Sequence, residues 1–307
     1  MKINKLLVVS LAATFAFSAC TRTQQPVTFE DTVNEATAAS SKSLSADEDL
    51  NKSKTILYTL PAPIEMASLI KQTGVTFDDQ LLHDLDLASK YNTNMKMAVS
   101  LGVYASDMSV VGMFNQSQKM VDYIKALKEL TRKLGIVQVM DENAIRKLED
   151  TNATKDEMLN VISEVYMNTN QYLTENNRRN IATMVMAGGW VEGLYLALNL
   201  INTKNLNKEI VERIIAQKLA LATMLNILES ENKDGNDQDL VYITEKMMEI
   251  KTIFDYVEIE KVGRVSALTD PETCVTSIKA NTSGELNPDI VEALKQKVNE
   301  VRNEFIK

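Results

Sequence analysis

The sequence predicts an all-α protein, an antiparallel multi-helix bundle with a small β-hairpin before the last helix. Only 10 Gly and 5 Pro occur in the 307 residues, which is few turn-forming residues for an all-β chain. Apolar residues recur at three- and four-residue intervals over much of the chain, as on one face of an amphipathic helix. Composition and periodicity therefore indicate the same fold class.

The N-terminus has the features of a bacterial lipoprotein signal. Lys2 and Lys5 precede an apolar run over residues 6–17, which is too short to span a bilayer. Small residues then lead directly to Cys20, as in the lipobox that lipoprotein signal peptidase recognises. We therefore predict a signal peptide over residues 1–19 and lipidation of Cys20, where two or more acyl chains such as palmitate would anchor the protein stably. An ordinary cleaved signal with an incidental cysteine is the alternative.

Residues 20–54 are predicted to be the lipidated cysteine and a flexible tether, and residues 55–307 a single helical domain. The tether is rich in Thr, Ser, Ala, Asp and Lys, with Phe29 as its one aromatic residue, so it cannot bury enough apolar area to fold alone. The three residues after the cysteine are not acidic. We expect a lipid-anchored protein of the bacterial cell envelope, in the outer membrane and facing the periplasm.

Charge and cysteine content limit the partners and sites. The formal net charge is −9, and the signal peptide contains two lysines and no acids, so the mature chain is more acidic still. Without a basic stripe, a nucleic-acid partner is not expected. Cys274 has no second cysteine to pair with once Cys20 is lipidated, and we interpret it as a small core residue. The only histidine, His83, is expected at the surface or at a helix cap.

No metal or cofactor is predicted. A single histidine cannot supply the ligand cluster of a typical zinc site. The acidic loop of residues 234–239 resembles a calcium loop, but aligning its glycine with the calcium pattern places Ser230 first and Val241 last, where acids are required. The loop therefore favours an ordinary polar turn.

Start and stop signals divide the first half of the domain. Two prolines after residue 60 set an entry turn before a short helix that ends at Gly74. Gly135 ends a later helix, and Thr154 with Glu157 forms a capping box at the start of another. The helix before Gly135 carries Met120, Ile124, Leu127, Leu130 and Leu134 on one face.

The second half has comparable signals. A polar turn over residues 231–239 separates two apolar stripes and predicts an antiparallel helix pair. Residues 257–280 contain β-branched residues and an Asp270-Pro271 turn, which favour the hairpin. Asn287-Pro288 begins the last helix. The stripe of that helix is Ile290, Val291, Leu294, Val298, Val301 and Phe305.

Two apolar segments near the middle of the chain each contain one acid, and both are predicted to be buried helices. Asp107 lies in residues 98–114, and Glu192 lies in residues 181–201. Three glycines within six residues of the second segment indicate a packing or binding reason, because glycine disfavours a helix. The candidate binding groove comprises Tyr104, Asp107, Gly188, Gly189, Trp190, Glu192, Tyr195 and Asn199.

The two acids can be interpreted as structural or as catalytic residues. A buried carboxylate must be paired, hydrogen-bonded or protonated. Asp107 and Glu192 could be structural, bonded to tyrosine hydroxyls, helix N-termini or an arginine such as Arg178 or Arg179. They could instead form an acid–base pair, which requires both to face one solvent-reachable cavity.

Short sequence segments around the two acids resemble those of a known family. Leu101-Gly102-Val103-Tyr104-Ala105-Ser106-Asp107-Met108, Gly189-Trp190-Val191-Glu192-Gly193-Leu194-Tyr195-Leu196-Ala197 and the entry segment from Pro61 to Lys71 are similar to uncharacterised helical lipoproteins from Bacteroidetes. The resemblance spans roughly residues 58–257. It implies a helical fold and an envelope location, and no activity.

The sequence leaves three functions open. We expect a lipid-anchored, non-catalytic binding or scaffold protein, whose partners are the membrane and an envelope protein or small ligand. The alternative is a hydrolase or proton-transfer enzyme that uses Asp107 and Glu192. A purely mechanical envelope component is the third. No nucleophile elbow, phosphate loop, Cys-x-x-Cys or dinucleotide fingerprint is present in the sequence.

Overall fold

A computed structural model describes most of the chain after residue 73 and a few residues before it. The described residues are 66–67, 70–71, 74–140, 142–149, 154–200, 208–258, 261–262, 266–269, 276–279, 282–283 and 286–307. The predicted signal peptide, Cys20, the tether, the proline entry turn and Cys274 lie outside them.

The fold is an all-α helical bundle, which confirms the predicted class. Its helices are α1 (Asn94–Met113), α2 (Ser117–Lys133), α3 (Glu142–Glu149), α4 (Lys155–Glu175), α5 (Arg179–Leu200), α6 (Lys208–Glu231), α7 (Gln238–Phe254) and α8 (Pro288–Ile306). Short 3-10 helices occupy Asp79–Leu81, Leu85–Leu87 and Val137–Val139. Helix α3 was not predicted, because eight residues are too few for a clear apolar period.

Four short strands lie between α7 and α8. They are β1 (Lys261–Val262), β2 (Ser266–Thr269), β3 (Thr276–Lys279) and β4 (Thr282–Ser283). β2 pairs antiparallel with β3, with Ala267 opposite Ile278, and β1 pairs antiparallel with β4. The two pairs are nested in sequence, in and just after the stretch for which a hairpin was predicted.

The helix boundaries follow the predicted local signals. The Thr154 side chain accepts from the backbone of Glu157, whose carboxylate accepts from the Thr154 N–H, so the capping box is complete. Gly135 follows α2 with a φ of 68°, in the left-handed region that glycine tolerates. Asn287 caps α8 by accepting from the N–H of Asp289.

Helices α1 and α5 pack against each other at the centre of the bundle. Every residue from 97 to 113 of α1 is buried. The two backbones approach very closely, because a Cβ atom added to Gly102 would lie 2.0 Å from the Val185 carbonyl oxygen. One added to Gly188 would lie 2.2 Å from the Val99 oxygen. Glycine at these two positions is therefore a requirement of packing.

Helix α5 is long and apolar enough to cross a membrane by length and composition alone. Its most apolar stretch is 94% buried inside the protein. Such burial is typical of the central helix of a bundle, where other helices cover every face.

The remaining helices surround this central pair. α6 and α7 pack together across a polar turn, as predicted for an antiparallel pair. Asp237 caps α7 through the N–H groups of Asp239 and Leu240. α8 packs on α5 and α7, and it also reaches α1. This position brings the C-terminal helix beside both predicted acids.

Candidate functional site

Asp107 of α1 and Glu192 of α5 meet in the centre of the bundle. Both residues are 0% exposed. Their carboxyl groups are close enough to share a side-chain hydrogen bond. The structure therefore brings together the two acids that the sequence singled out from segments about 85 residues apart.

Glu192 forms a two-point ion pair with Arg302 of α8. The Arg302 Nε donates to Glu192 Oε2 at 2.8 Å, and Nη2 donates to Oε1 at 2.9 Å. The same guanidinium lies over the ring of Tyr195, 4.4 Å from its centroid. Bidentate pairing matches the fork of the guanidinium to the carboxylate and fixes both side chains.

The predicted arginine partners of the acids were wrong. Arg178 donates instead to the Leu134 carbonyl oxygen at 2.7 Å. Arg179 lies 3.9 Å from Glu231. Arg302 was missed because it is 110 residues from Glu192. Its position four residues after Val298, inside the apolar stripe of α8, is the signal that could have identified it.

Asp107 is held by donors from two other elements. Its Oδ2 accepts from the backbone N–H of His83 at 2.8 Å and from the Tyr123 hydroxyl at 3.2 Å. Its Oδ1 is equally buried and has no hydrogen-bond partner among the described residues. The two oxygens of one carboxyl group are thus in different environments.

His83 is buried, and its predicted place at the surface or at a cap was wrong. It is 5% exposed, and its ring stacks on that of Tyr104 with centroids 5.0 Å apart. Nε2 lies 2.6 Å from the Tyr91 hydroxyl, which donates to the Ile306 carbonyl oxygen at 3.0 Å. Because that hydroxyl has one hydrogen, His83 must be the donor, so its proton is on Nε2.

The same burial changes the pKa values of these groups. Desolvation, with help from the positive charge of Arg302, lowers the pKa of His83 to about 4. Desolvation and then the negative charge of Glu192 raise the pKa of Asp107 well above its usual value. Burial also raises the pKa of Glu192, and the ion pair with Arg302 opposes this rise.

The predicted groove is filled by the protein itself at its glycines. Gly188 and Gly189 face α1, where Ser106 Oγ donates to the Gly189 carbonyl oxygen at 2.8 Å. Close contact between helix backbones therefore explains these two glycines.

The other groove residues have polar partners inside the bundle. The Trp190 Nε1 donates to Gln217 Oε1 at 3.1 Å, and the tryptophan is 6% exposed. Asn199 donates to Asn299 Oδ1 at 2.9 Å. The hydroxyl of Tyr104, a fully buried residue, donates to the Asp84 carbonyl oxygen at 2.7 Å. These contacts tie α5 to α6 and α8, and α1 to the segment before it.

A small cavity lies on the other side of α1. Its volume is about 20 Å³, enough for one water molecule. Its lining is Leu101, Ala105, Met108, Leu127, Thr131, Met140, Ile162, Val165, Tyr166, Thr169 and Val185. Neither acid lines this cavity.

Among the described residues, no group of three or more His, Cys, Asp or Glu side chains could hold a metal ion. In the acidic loop of residues 234–239, the Asp237 Oδ2 accepts from Asn180 Nδ2 at 2.9 Å. Asn232 bonds both the N–H and the carbonyl oxygen of Asp237. The loop side chains therefore stabilise the turn and the start of α7.

The buried site can hold charge and join helices, and its acids have no exposed surface through which to meet a substrate.

Searches with this chain found no matching protein-family model, no matching curated protein and no matching solved structure.

Proposed function

We propose that this chain is a lipid-anchored protein of the bacterial cell envelope, in the outer membrane and facing the periplasm, whose helical domain is a non-catalytic binding or scaffold module. The observation that carries the non-catalytic part is that both candidate acids are fully buried and engaged by the protein's own groups. The anchor and location rest on the lipobox-like sequence before Cys20 and on the resemblance to helical lipoproteins.

The buried cluster supports a structural role for the acids. Arg302 occupies both oxygens of Glu192, and His83 with Tyr123 occupies one oxygen of Asp107. An acid–base catalyst must reach the proton that it transfers. A hydrolase or proton-transfer enzyme using Asp107 and Glu192 would therefore need the bundle to open, which makes the scaffold the better-supported function.

The first experiment tests the anchor. Cells that express the full chain are fed a radiolabelled fatty acid, and the protein is recovered from the detergent-extracted membrane fraction. We expect label in the wild type and none in Cys20→Ser, which should also leave the membrane fraction. Label retained by Cys20→Ser would contradict lipidation at this residue.

The second experiment tests the scaffold. Cross-linking in intact cells, followed by purification of the full chain in detergent, should recover one envelope protein in constant ratio to it. Asp107→Asn should recover the same partner, because it preserves the shape of the core. Recovery of no specific protein would count against the scaffold, and loss of the partner with Asp107→Asn despite normal folding would favour direct participation of the acid.

A further inference from the structure

The junction of Asp107, Glu192 and Arg302 has an unbalanced charge when both acids are ionised. Two carboxylates and one guanidinium would leave one net negative charge, and the Glu192 and Arg302 side chains are 0% and 9% exposed. The Asp107 residue is also 0% exposed. A buried charge without compensation is strongly unfavourable, and the usual response of a carboxyl group is to keep its proton.

The hydrogen bonds indicate which acid keeps it. Glu192 receives two N–H donors from Arg302, as an ionised carboxylate does. Asp107 receives both of its donors at Oδ2, and Oδ1 has no partner among the described residues. A proton on Oδ1 would give that oxygen a role as a donor, and the neighbouring Glu192 carboxylate is an acceptor within reach.

We propose that Asp107 is a protonated acid in the native protein and donates a hydrogen bond from Oδ1 to Glu192, which makes the junction of α1, α5 and α8 a proton-dependent device. The junction is then electrically neutral, with one Glu192 carboxylate and one Arg302 guanidinium. Loss of the proton places a second negative charge beside Glu192 and weakens the core. This inference goes beyond the proposed function and does not depend on it.

Every titratable or charged group that faces the acid agrees with this assignment. Tyr123 and Tyr104 are buried phenols whose pKa values are raised, chiefly by desolvation, so they stay neutral. His83 contributes its backbone N–H, and its ring is neutral because desolvation lowers its pKa to about 4. Among the described residues, Arg302 is therefore the only cation that faces the acid, and Glu192 already pairs with it. The described groups that face the acid are Tyr104 of α1, Tyr123 of α2, Glu192 and Tyr195 of α5, Arg302 of α8, and His83 of the segment before α1. Asp84 and Tyr91 of the same segment contact Tyr104 and His83 in turn.

The sign of the pH effect follows from the two states. In the unfolded chain Asp107 has an ordinary pKa, near 3.9, and in the native protein its pKa is raised. Between these two values the native state holds one more proton than the unfolded state, so stability falls as the pH rises. Below the ordinary value both states are protonated, and the contribution of the junction is fully present.

The test compares the full-length wild type with Asp107→Asn by urea unfolding in detergent from pH 4 to pH 9. The asparagine amide can donate to Glu192 and accept from His83 and Tyr123, and it cannot ionise. Asp122→Asn is the matched control, because Asp122 is an exposed acid paired with Lys125. Effects of His83 cancel in the ratio, because both proteins contain it.

The expected result is a ratio of unfolding constants, wild type over Asp107→Asn, that rises with pH by up to about tenfold per pH unit and then levels at the native pKa. Asp122→Asn should show no such rise. A ratio that is independent of pH, or an Asp107→Asn protein that is less stable than wild type at pH 8, would overturn the proposal.

A spectroscopic measurement keeps the proposal testable even if Asp107→Asn fails to fold. The infrared spectrum of the folded wild type at pH 8 should contain the carbonyl band of a protonated carboxylic acid. The exposed acids are ionised at that pH and do not contribute to the band. A folded wild type without this band would overturn the assignment.

Discussion

Helix α8 is held to the bundle by two charged clusters that differ in burial. Inside, Arg302 pairs with Glu192, and their side chains are 9% and 0% exposed. Outside, a surface charge ladder runs between α7 and α8, where Lys246 lies 2.7 Å from Glu304 and 2.8 Å from Glu249. The ladder side chains are between 18% and 61% exposed. The ladder consists of Lys246, Glu249, Lys297, Glu300 and Glu304.

Distance is a poor guide to the effect of these ion pairs on stability. The exposed Lys246–Glu304 contact is shorter than the buried contacts of Arg302. In the ladder, water can solvate the charge that remains when one partner is lost, so the loss lowers the free energy of unfolding only slightly. Inside the bundle, loss of one partner leaves the other charge buried and unpaired. We therefore expect equal chemical changes in the two clusters to have very different effects.

The largest effect is expected for Glu192→Gln. The substitution removes the carboxylate that both Arg302 donors bind, and breaking a buried pair in this way typically costs about 3–5 kcal/mol. The free energy of unfolding from urea titration measures the loss. Glu304→Gln is the matched control, because it makes the same chemical change on the other cluster. Similar losses for the two variants would contradict the expected dependence on burial.

The next largest effect is expected from the protonation of the single histidine, His83, at low pH. His83 has an ordinary pKa of 6.5 when unfolded and about 4 in the native protein, where desolvation lowers it. Between these values the unfolded state binds the extra proton, so the contribution of His83 to stability falls as the pH falls, by at most about 3 kcal/mol. His83→Gln should abolish this loss. Parallel profiles of stability against pH for the two proteins would contradict the assignment.

This acid-side loss opposes the effect proposed for Asp107. From pH 6.5 down to about 4 the two titrations act in opposite directions, because His83 destabilises the fold and Asp107 stabilises it. Above pH 6.5 His83 is neutral in both states and no longer contributes to the pH dependence. His83→Gln should therefore lose the destabilising effect and keep the stabilising one, so its stability should rise relative to that of the wild type as the pH falls through this window.

A smaller effect tests whether the helices around the buried cluster can move apart. Gly188→Ala would place a Cβ 2.2 Å from the Val99 oxygen, which cannot be accommodated without separating α1 from α5. We expect a loss of about 2 kcal/mol, as is typical of overpacked cores. Gly189→Ala is the control, because its nearest contact would be 3.4 Å. Equal thermal midpoints for the two variants would show that the central contact is adaptable.

The smallest effect is expected for Glu304→Gln itself. Exposed ion pairs contribute between about 0.2 and 1 kcal/mol, and salt screens them. The unfolding free energy of this variant should fall by less than about 1 kcal/mol at low salt and match the wild type at high salt. A loss that persists at high salt would mean that the ladder also contributes packing.

The sequence predicted the helices wherever the signal was local. The capping box at Thr154, the stop at Gly135 and the start at Asn287 each depend on residues within a few positions, and each was confirmed. Buried helices α1 and α5 were found from their continuous apolar composition. Helix α3 was missed, because it is short and gains its stability by packing against α2 and α4.

The candidate site was predictable only in part. Asp107 and Glu192 were identified because an acid inside an apolar helix is conspicuous in any sequence. Their partners were not, because Arg302 and Tyr123 come from other helices and pairing over long separations leaves no local pattern. His83 was misplaced, since its acidic neighbours indicate a surface while its ring is covered by Tyr91 and Tyr104.

The separation of Glu192 and Arg302 also has a consequence during protein synthesis. The ribosome must add 110 more residues after Glu192 before its counter-charge exists, which takes roughly 5–20 s at ordinary rates of elongation. During that interval the nascent chain already contains both apolar central helices and an acid that they would bury without its partner. The central helices therefore gain their full stability only after the segment that contains Arg302 has been synthesised and has joined the bundle.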